Sequence, residues 1–111
     1  MKRGDVFYAN LDPTQGAVTQ KARPVVIVSN NAANRAGVLV TVLPLTSNVT
    51  RIFPFEVKLT ASATGLDKDS KAMAQQVRTL DKGRLAQSAS GQVPAKLMQQ
   101  VDAALRLHLS L

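Results

Sequence analysis

The stretch Arg23-Pro24-Val25-Val26-Ile27-Val28-Ser29 decides the fold. Four apolar β-branched residues in an unbroken row, with no polar alternation, predict a strand buried on both faces. Upstream, residues 12–22 read as a loop carrying Pro13 and Gly16, and Val6 to Leu11 reads as a strand that stops at Asp12-Pro13. Downstream, Asn30 to Arg35 reads as a turn or short helical turn ended by Gly37. Val38 to Leu45 is the longest strand candidate, and Thr46 to Arg51 is a polar loop. Phe53, Phe55, Val57 and Leu59 alternate with Pro54, Glu56 and Lys58, which predicts a half-buried strand, at an edge because of Pro54. Ala61 to Ser70 is turn-rich, and Lys71 to Leu80 supplies one or two further strands.

The period changes near the end. Pro94 suits the first position of a helix, and Leu97, Val101, Leu105 and Leu109 recur every four residues, with Met98 and Ala104 alongside. An amphipathic helix is expected from about Pro94 to Leu109. Many short strands and one terminal helix define a mainly β class with a C-terminal α-helix, a small barrel capped by that helix.

The 111 residues match the size of one ordinary domain, taken as 1–111. A domain of this size buries roughly two-thirds of its unfolded surface. There is no cysteine, so disulfides and thiolate metal sites are excluded, and a reducing, cytoplasmic setting is expected. Met1-Lys2-Arg3-Gly4-Asp5 has no apolar run behind it, so no signal peptide is read, and no stretch approaches the roughly 20 apolar residues of a membrane span. Fourteen Lys and Arg face seven Asp and Glu, a formal charge of +7. That excess points to an anionic partner, nucleic acid first and an acidic protein segment second. The cations are scattered along the chain, so any basic patch must be assembled by folding.

Several fragments, taken in order, carry a family resemblance. They are Asp12-Pro13-Thr14, the run Lys21 to Ser29, Pro44-Leu45-Thr46-Ser47, Phe53-Pro54-Phe55-Glu56-Val57, Gln75-Gln76-Val77-Arg78-Thr79-Leu80-Asp81-Lys82, and Val93-Pro94. The ordered set, over nearly the whole chain, resembles the MazF/PemK/Kid family of toxin ribonucleases. The resemblance implies a curved, SH3-like barrel shared with gyrase poisons of the CcdB type. It implies a homodimer with single-stranded RNA across the dimer face, and a cognate antitoxin whose disordered acidic tail covers that face. The implied activity is that of an endoribonuclease cutting at short sequence motifs without a metal, arresting translation and growth. Attack of the ribose 2′-hydroxyl on the adjacent phosphorus would leave a 2′,3′-cyclic phosphate and a 5′-hydroxyl. A gyrase poison on the same barrel and an inactive RNA-binding barrel are the alternative functions.

Such chemistry needs a proton acceptor, a proton donor and positive charge at the phosphorane. His108 is the only histidine and sits between leucines on the predicted helix, so a His pair within one subunit is excluded. Asp67 and Asp69 are the only acidic residues close in sequence, and they read as a solvated turn, so no metal site is expected. The resemblance carries the catalytic arginine onto Arg23. The following proline holds its backbone extended, and its planar fork suits two phosphate oxygens. Arg23 is assigned charge stabilisation, with proton donation to the leaving oxygen as an additional role. The resemblance carries a second site residue onto Thr46, whose hydroxyl would bind a non-bridging oxygen or orient the 2′-hydroxyl. Ser47, Gln75, Gln76, Arg78, Lys21, Arg51 and Phe53 are candidate RNA contacts, with Lys71 a further phosphate contact and Arg84 a solvated cation. Some family members carry an acid or His near Ala17 and Val18, and an acid at the place of Gln75. Neither is present here. The proton acceptor is left open between a water, a substrate phosphate oxygen and no specific group.

Overall fold

A computed structural model describes residues 1–11 and 22–111. The predicted first loop, with Lys21, Ala17 and Val18, lies outside the described residues. Seven strands are described: β1 (Asp5–Asn10), β2 (Ala22–Ile27), β3 (Leu39–Thr46), β4 (Glu56–Leu59), β5 (Ser70–Met73), β6 (Arg78–Asp81) and β7 (Gly91–Gln92). They form one curved sheet in the order β4-β5-β3-β2-β1-β7, with β6 also on β3. Three helices accompany them: α1 (Asn31–Ala36), α2 (Ala61–Thr64) and α3 (Ala95–Leu109).

The β-branched run behaves as its composition requires. β2 lies between β1 and β3, antiparallel to both. Val25, Val26 and Ile27 are fully buried, and they divide by parity between two apolar clusters. Val26 and Val28 join Val6, Leu43, Leu45, Leu59 and the helix residues Met98, Val101 and Ala104 on one face. Val25 and Ile27 join Phe7, Ala9, Val40, Val42 and Leu80 on the other. Replacing Leu43, 1% exposed in the helix-covered cluster, by alanine is expected to cost about 2–5 kcal/mol in urea unfolding, since a buried leucine leaves a cavity that relaxes only partly.

β3 organises the sheet. One edge pairs Val42, Leu43 and Pro44 with β2. The other pairs Leu39 to Val42 with β6, then Leu45 and Thr46 with β5. Leu43 and Pro44 therefore have no partner on that second edge. Proline lacks the N–H that a ladder uses. Opposite it the neighbouring chain leaves the sheet as a 3₁₀ turn, Ala74–Gln76, between β5 and β6. One long strand with a broken partner is how the segment Lys71 to Leu80 becomes two strands.

Two expectations need correction. The alternating stretch is strand only from Glu56. The Glu56 N–H donates to the Phe53 carbonyl at 2.9 Å and the Phe53 N–H donates to the Glu56 carboxylate at 3.0 Å, which closes a turn over residues 53–55. Pro54 thus precedes the edge strand instead of lying in it. The turn-rich segment holds the helical turn α2, capped by the Thr60 hydroxyl and ended by Gly65 at φ 83°. On α3, Met98, Val101 and Ala104 are buried, Leu97 and Leu105 pack partly, and Leu109 is 48% exposed. The apolar stripe outruns the sheet it covers.

Candidate functional site

Side-chain alternation assembles the site before any distance is considered. Opposed residues of an antiparallel pair point to the same face. Continuing the β2–β3 register two residues beyond Val25 and Pro44 sets Arg23 opposite Thr46. Thr46 pairs with Lys71 on its other side, and Val42 pairs with Arg78. Arg23, Thr46, Lys71 and Arg78 therefore share the face of the second apolar cluster. They line one open groove of about 530 Å³, together with Leu11, Pro44, Asn48, Met73 and Gln76. Three cations scattered in sequence, Arg23, Lys71 and Arg78, meet there.

Arg23 is exposed at the start of β2, and no hydrogen-bond or ion-pair partner is found for it among the described residues. Arg78 is exposed and unpaired in the same sense. Two guanidinium forks with open donors in one groove can take the oxygens of a phosphodiester. Thr46 is half-buried at the end of β3, and its hydroxyl oxygen accepts from the Asn48 N–H at 3.3 Å. The hydroxyl hydrogen remains available to a ligand oxygen.

A second recess of about 260 Å³ adjoins the groove at Arg23 and Thr46. It takes in Tyr8, Pro24 and Leu45, which alternation turns to the other face, along with Ser47, Asp67 and Lys68. Asp67, expected as a plain solvated turn residue, stands at the rim of this recess.

The other candidates divide. Gln76 lines the groove, whereas Gln75 is half-buried and donates its amide to Glu56 Oε2 at 2.6 Å. The Gln75 carbonyl oxygen is buried without a partner. Arg51 and Phe53 are exposed on the β3–β4 loop, with the guanidinium 5.1 Å from the ring centre and Phe53 stacked on Phe55 at 5.3 Å. Phe53 is thus a surface ring, not a core one. Lys71 is not a free phosphate contact. Its ammonium donates to Glu56 Oε1 at 2.9 Å and to the Arg51 carbonyl at 2.6 Å. Arg84 contacts the Asn10 carbonyl at 3.3 Å, beside a separate recess. His108 lies on α3 with its ring 6.5 Å from that of Phe55, outside the groove.

Glu56 is the residue that sequence reasoning missed. Its side chain is 2% exposed, in a position opposite Met73 at the groove wall. Burial alone would raise its pKa. The Phe53 N–H, the Lys71 ammonium and the Gln75 amide outweigh that, so the carboxyl titrates below its ordinary value of 4.5. Its signal in the sequence was a charged residue among alternating apolar ones, which says nothing of its partners. Among the described residues, no three His, Asp or Glu side chains are grouped as a metal would need.

A curved sheet with one terminal helix and a cationic groove at its strand ends defines a class that comparison makes specific. Residues 2–109 match the PemK-like, MazF-like toxin family of type II toxin-antitoxin systems. The chain is 41% identical to Endoribonuclease MazF9 of Mycobacterium tuberculosis, covering all of this chain and 98% of that protein. It is 33% identical to Endoribonuclease EndoA of Bacillus subtilis, covering all of this chain and 96% of that one. Among solved structures, a mycobacterial endoribonuclease in complex with its cognate antitoxin superposes with a TM-score of 0.82 at 31% identity, over all of this chain and 96% of that one. A MazE–MazF structure from Deinococcus radiodurans gives 0.82 at 26% identity, with the same coverage. The chain belongs to the PemK-like, MazF-like toxin family.

Proposed function

We propose that this protein is a toxin endoribonuclease that cuts single-stranded RNA at short sequence motifs without a metal, and that a cognate antitoxin neutralises it. The carrying observation is the convergence of Arg23, Thr46 and Arg78 on one groove. The 2′-oxygen forms a bond to phosphorus while its proton leaves to a water or a phosphate oxygen. The bond from phosphorus to the 5′-oxygen breaks, and that oxygen gains a proton. Arg23 stabilises the charge on the phosphorane and delivers a proton toward the leaving oxygen. Thr46 orients a non-bridging oxygen or the 2′-hydroxyl. Arg78, Gln76, Ser47, Arg51, Phe53 and Lys21 are proposed to hold flanking nucleotides, with unstacked bases resting on the exposed ring.

The partner reading follows the charge. A basic groove on a chain of net charge +7 suits both RNA and an acidic antitoxin tail. The similar mycobacterial endoribonuclease is in complex with its cognate antitoxin, which supports the same pairing here. Action as a homodimer in the cytoplasm completes the proposal. No described helix is long and apolar enough to cross a membrane.

The test is RNA cleavage in excess EDTA with both new ends mapped. Cyclic phosphate and 5′-hydroxyl termini at a recurring motif are the expected result. Activity lost in EDTA and restored by Mg²⁺ removes the metal-free mechanism. Inhibition of supercoiling with intact RNA assigns a gyrase poison instead.

A further inference from the structure

The buried polar cluster beside the groove ties together parts that Thr46 does not touch. Glu56 Oε1 accepts from the Phe53 N–H at 3.0 Å and from Lys71 at 2.9 Å, and Oε2 accepts from Gln75 at 2.6 Å. Lys71 reaches on to the Arg51 carbonyl at 2.6 Å. One carboxylate therefore fixes the β3–β4 loop, which carries Arg51 and Phe53, and the 3₁₀ turn, which carries Gln75 and Gln76. Lys71 is the register partner of Thr46, so both attachments are referred to the strand that bears the site hydroxyl.

We propose that Glu56 is a positioning residue for the substrate: through Lys71 and Gln75 it holds the Arg51–Phe53 arm and the Ala74–Gln76 turn in fixed register around Thr46. This rests on the reading of the groove as an RNA-cleaving site. The ammonium spends two of its donors on the Arg51 carbonyl and Glu56, and it lies 6.0 Å from the centre of the Phe53 ring, so it is committed to the arm. The buried carbonyl of Gln75 cannot trade places with its amide, because an oxygen would then face the carboxylate of Glu56. The orientation of the Gln75 amide on the turn is set by the carboxylate of Glu56. A rigid support of this kind keeps the scissile bond aligned, and a displacement near 1 Å costs about 10²-fold in rate.

The experiment uses the full chain and a mixed-sequence single-stranded RNA, comparing wild type, Glu56→Gln, and the double variant Glu56→Gln/Lys71→Met. Steady-state kinetics, end mapping and the unfolding midpoint are read for each. Glu56→Gln is expected to lower kcat/KM about 10²-fold and to spread cleavage onto positions the wild type leaves intact. The double variant removes both charges, so its midpoint returns toward wild type, while its cleavage stays slow and spread. A structural cluster alone predicts that activity and cut positions return with stability. That result overturns the proposal, as does Glu56→Gln cutting with wild-type rate and positions. Wild-type protein that cuts no RNA removes the functional reading itself, and this inference with it.

Discussion

Arg23→Ala is expected to lower kcat/KM for RNA cleavage by about 10²–10³-fold, equivalent to about 3–4 kcal/mol of transition-state stabilisation. In the proposed mechanism the guanidinium meets charge that develops only as the phosphorane forms. It stands in the groove with Thr46, and no internal partner among the described residues competes for its donors. An exposed side chain at a strand start contributes little to folding, so the unfolding midpoint should stay near wild type. Arg23→Lys should recover only part of the loss, because an ammonium lacks the planar fork. Cleavage at the wild-type rate by the alanine variant, measured on the same RNA, would remove Arg23 from the mechanism.

Lys71→Met should give the largest loss of stability for a charged residue. The Lys71 and Glu56 side chains are 11% and 2% exposed, and removing one member of such a buried pair typically costs about 3–5 kcal/mol. The carboxylate would remain buried with its cation gone. The pH dependence identifies the cause. In the wild type the folded-state pKa of Glu56 is lowered, so its contribution is present above about pH 4.5 and fades as pH falls through the lower folded value. Without the cation, burial is opposed only by the Phe53 and Gln75 hydrogen bonds. The deficit should therefore be widest near neutrality and narrow toward pH 4, where protonation relieves the buried charge. Urea unfolding at both pH values measures it. A deficit independent of pH would assign the loss to packing.

Local chemistry made much of this fold readable. The β-branched run at Val25 to Val28 and the four-residue spacing after Pro94 each state a burial pattern without reference to the rest of the chain. The parity of Arg23 and Thr46 was equally present, but it becomes a shared face only when the β2–β3 register is known. Register is a long-range property, so the pairing of Glu56 with Lys71 and Gln75 was invisible. Phe53 misled because period two persists through a turn closed by its own backbone. The helix ends at Leu109 as read, but amphipathic spacing marks which side faces a sheet, not where the sheet stops.

The tie between Arg3 and Asp102, with Gly91 and Gln92 added to β1, brings the two ends of the chain against each other. Adjacent hairpins such as β2–β3 can zip early, since little chain lies between them. The pairing of β7 with β1 must instead close a loop spanning most of the chain, and the entropy of that closure comes due before its contacts are made. Joining β7 to β1 is therefore the longest-range closure in the sheet, whereas the terminal helix packs on β4 and the Ala74–Gln76 turn, which lie nearer in sequence.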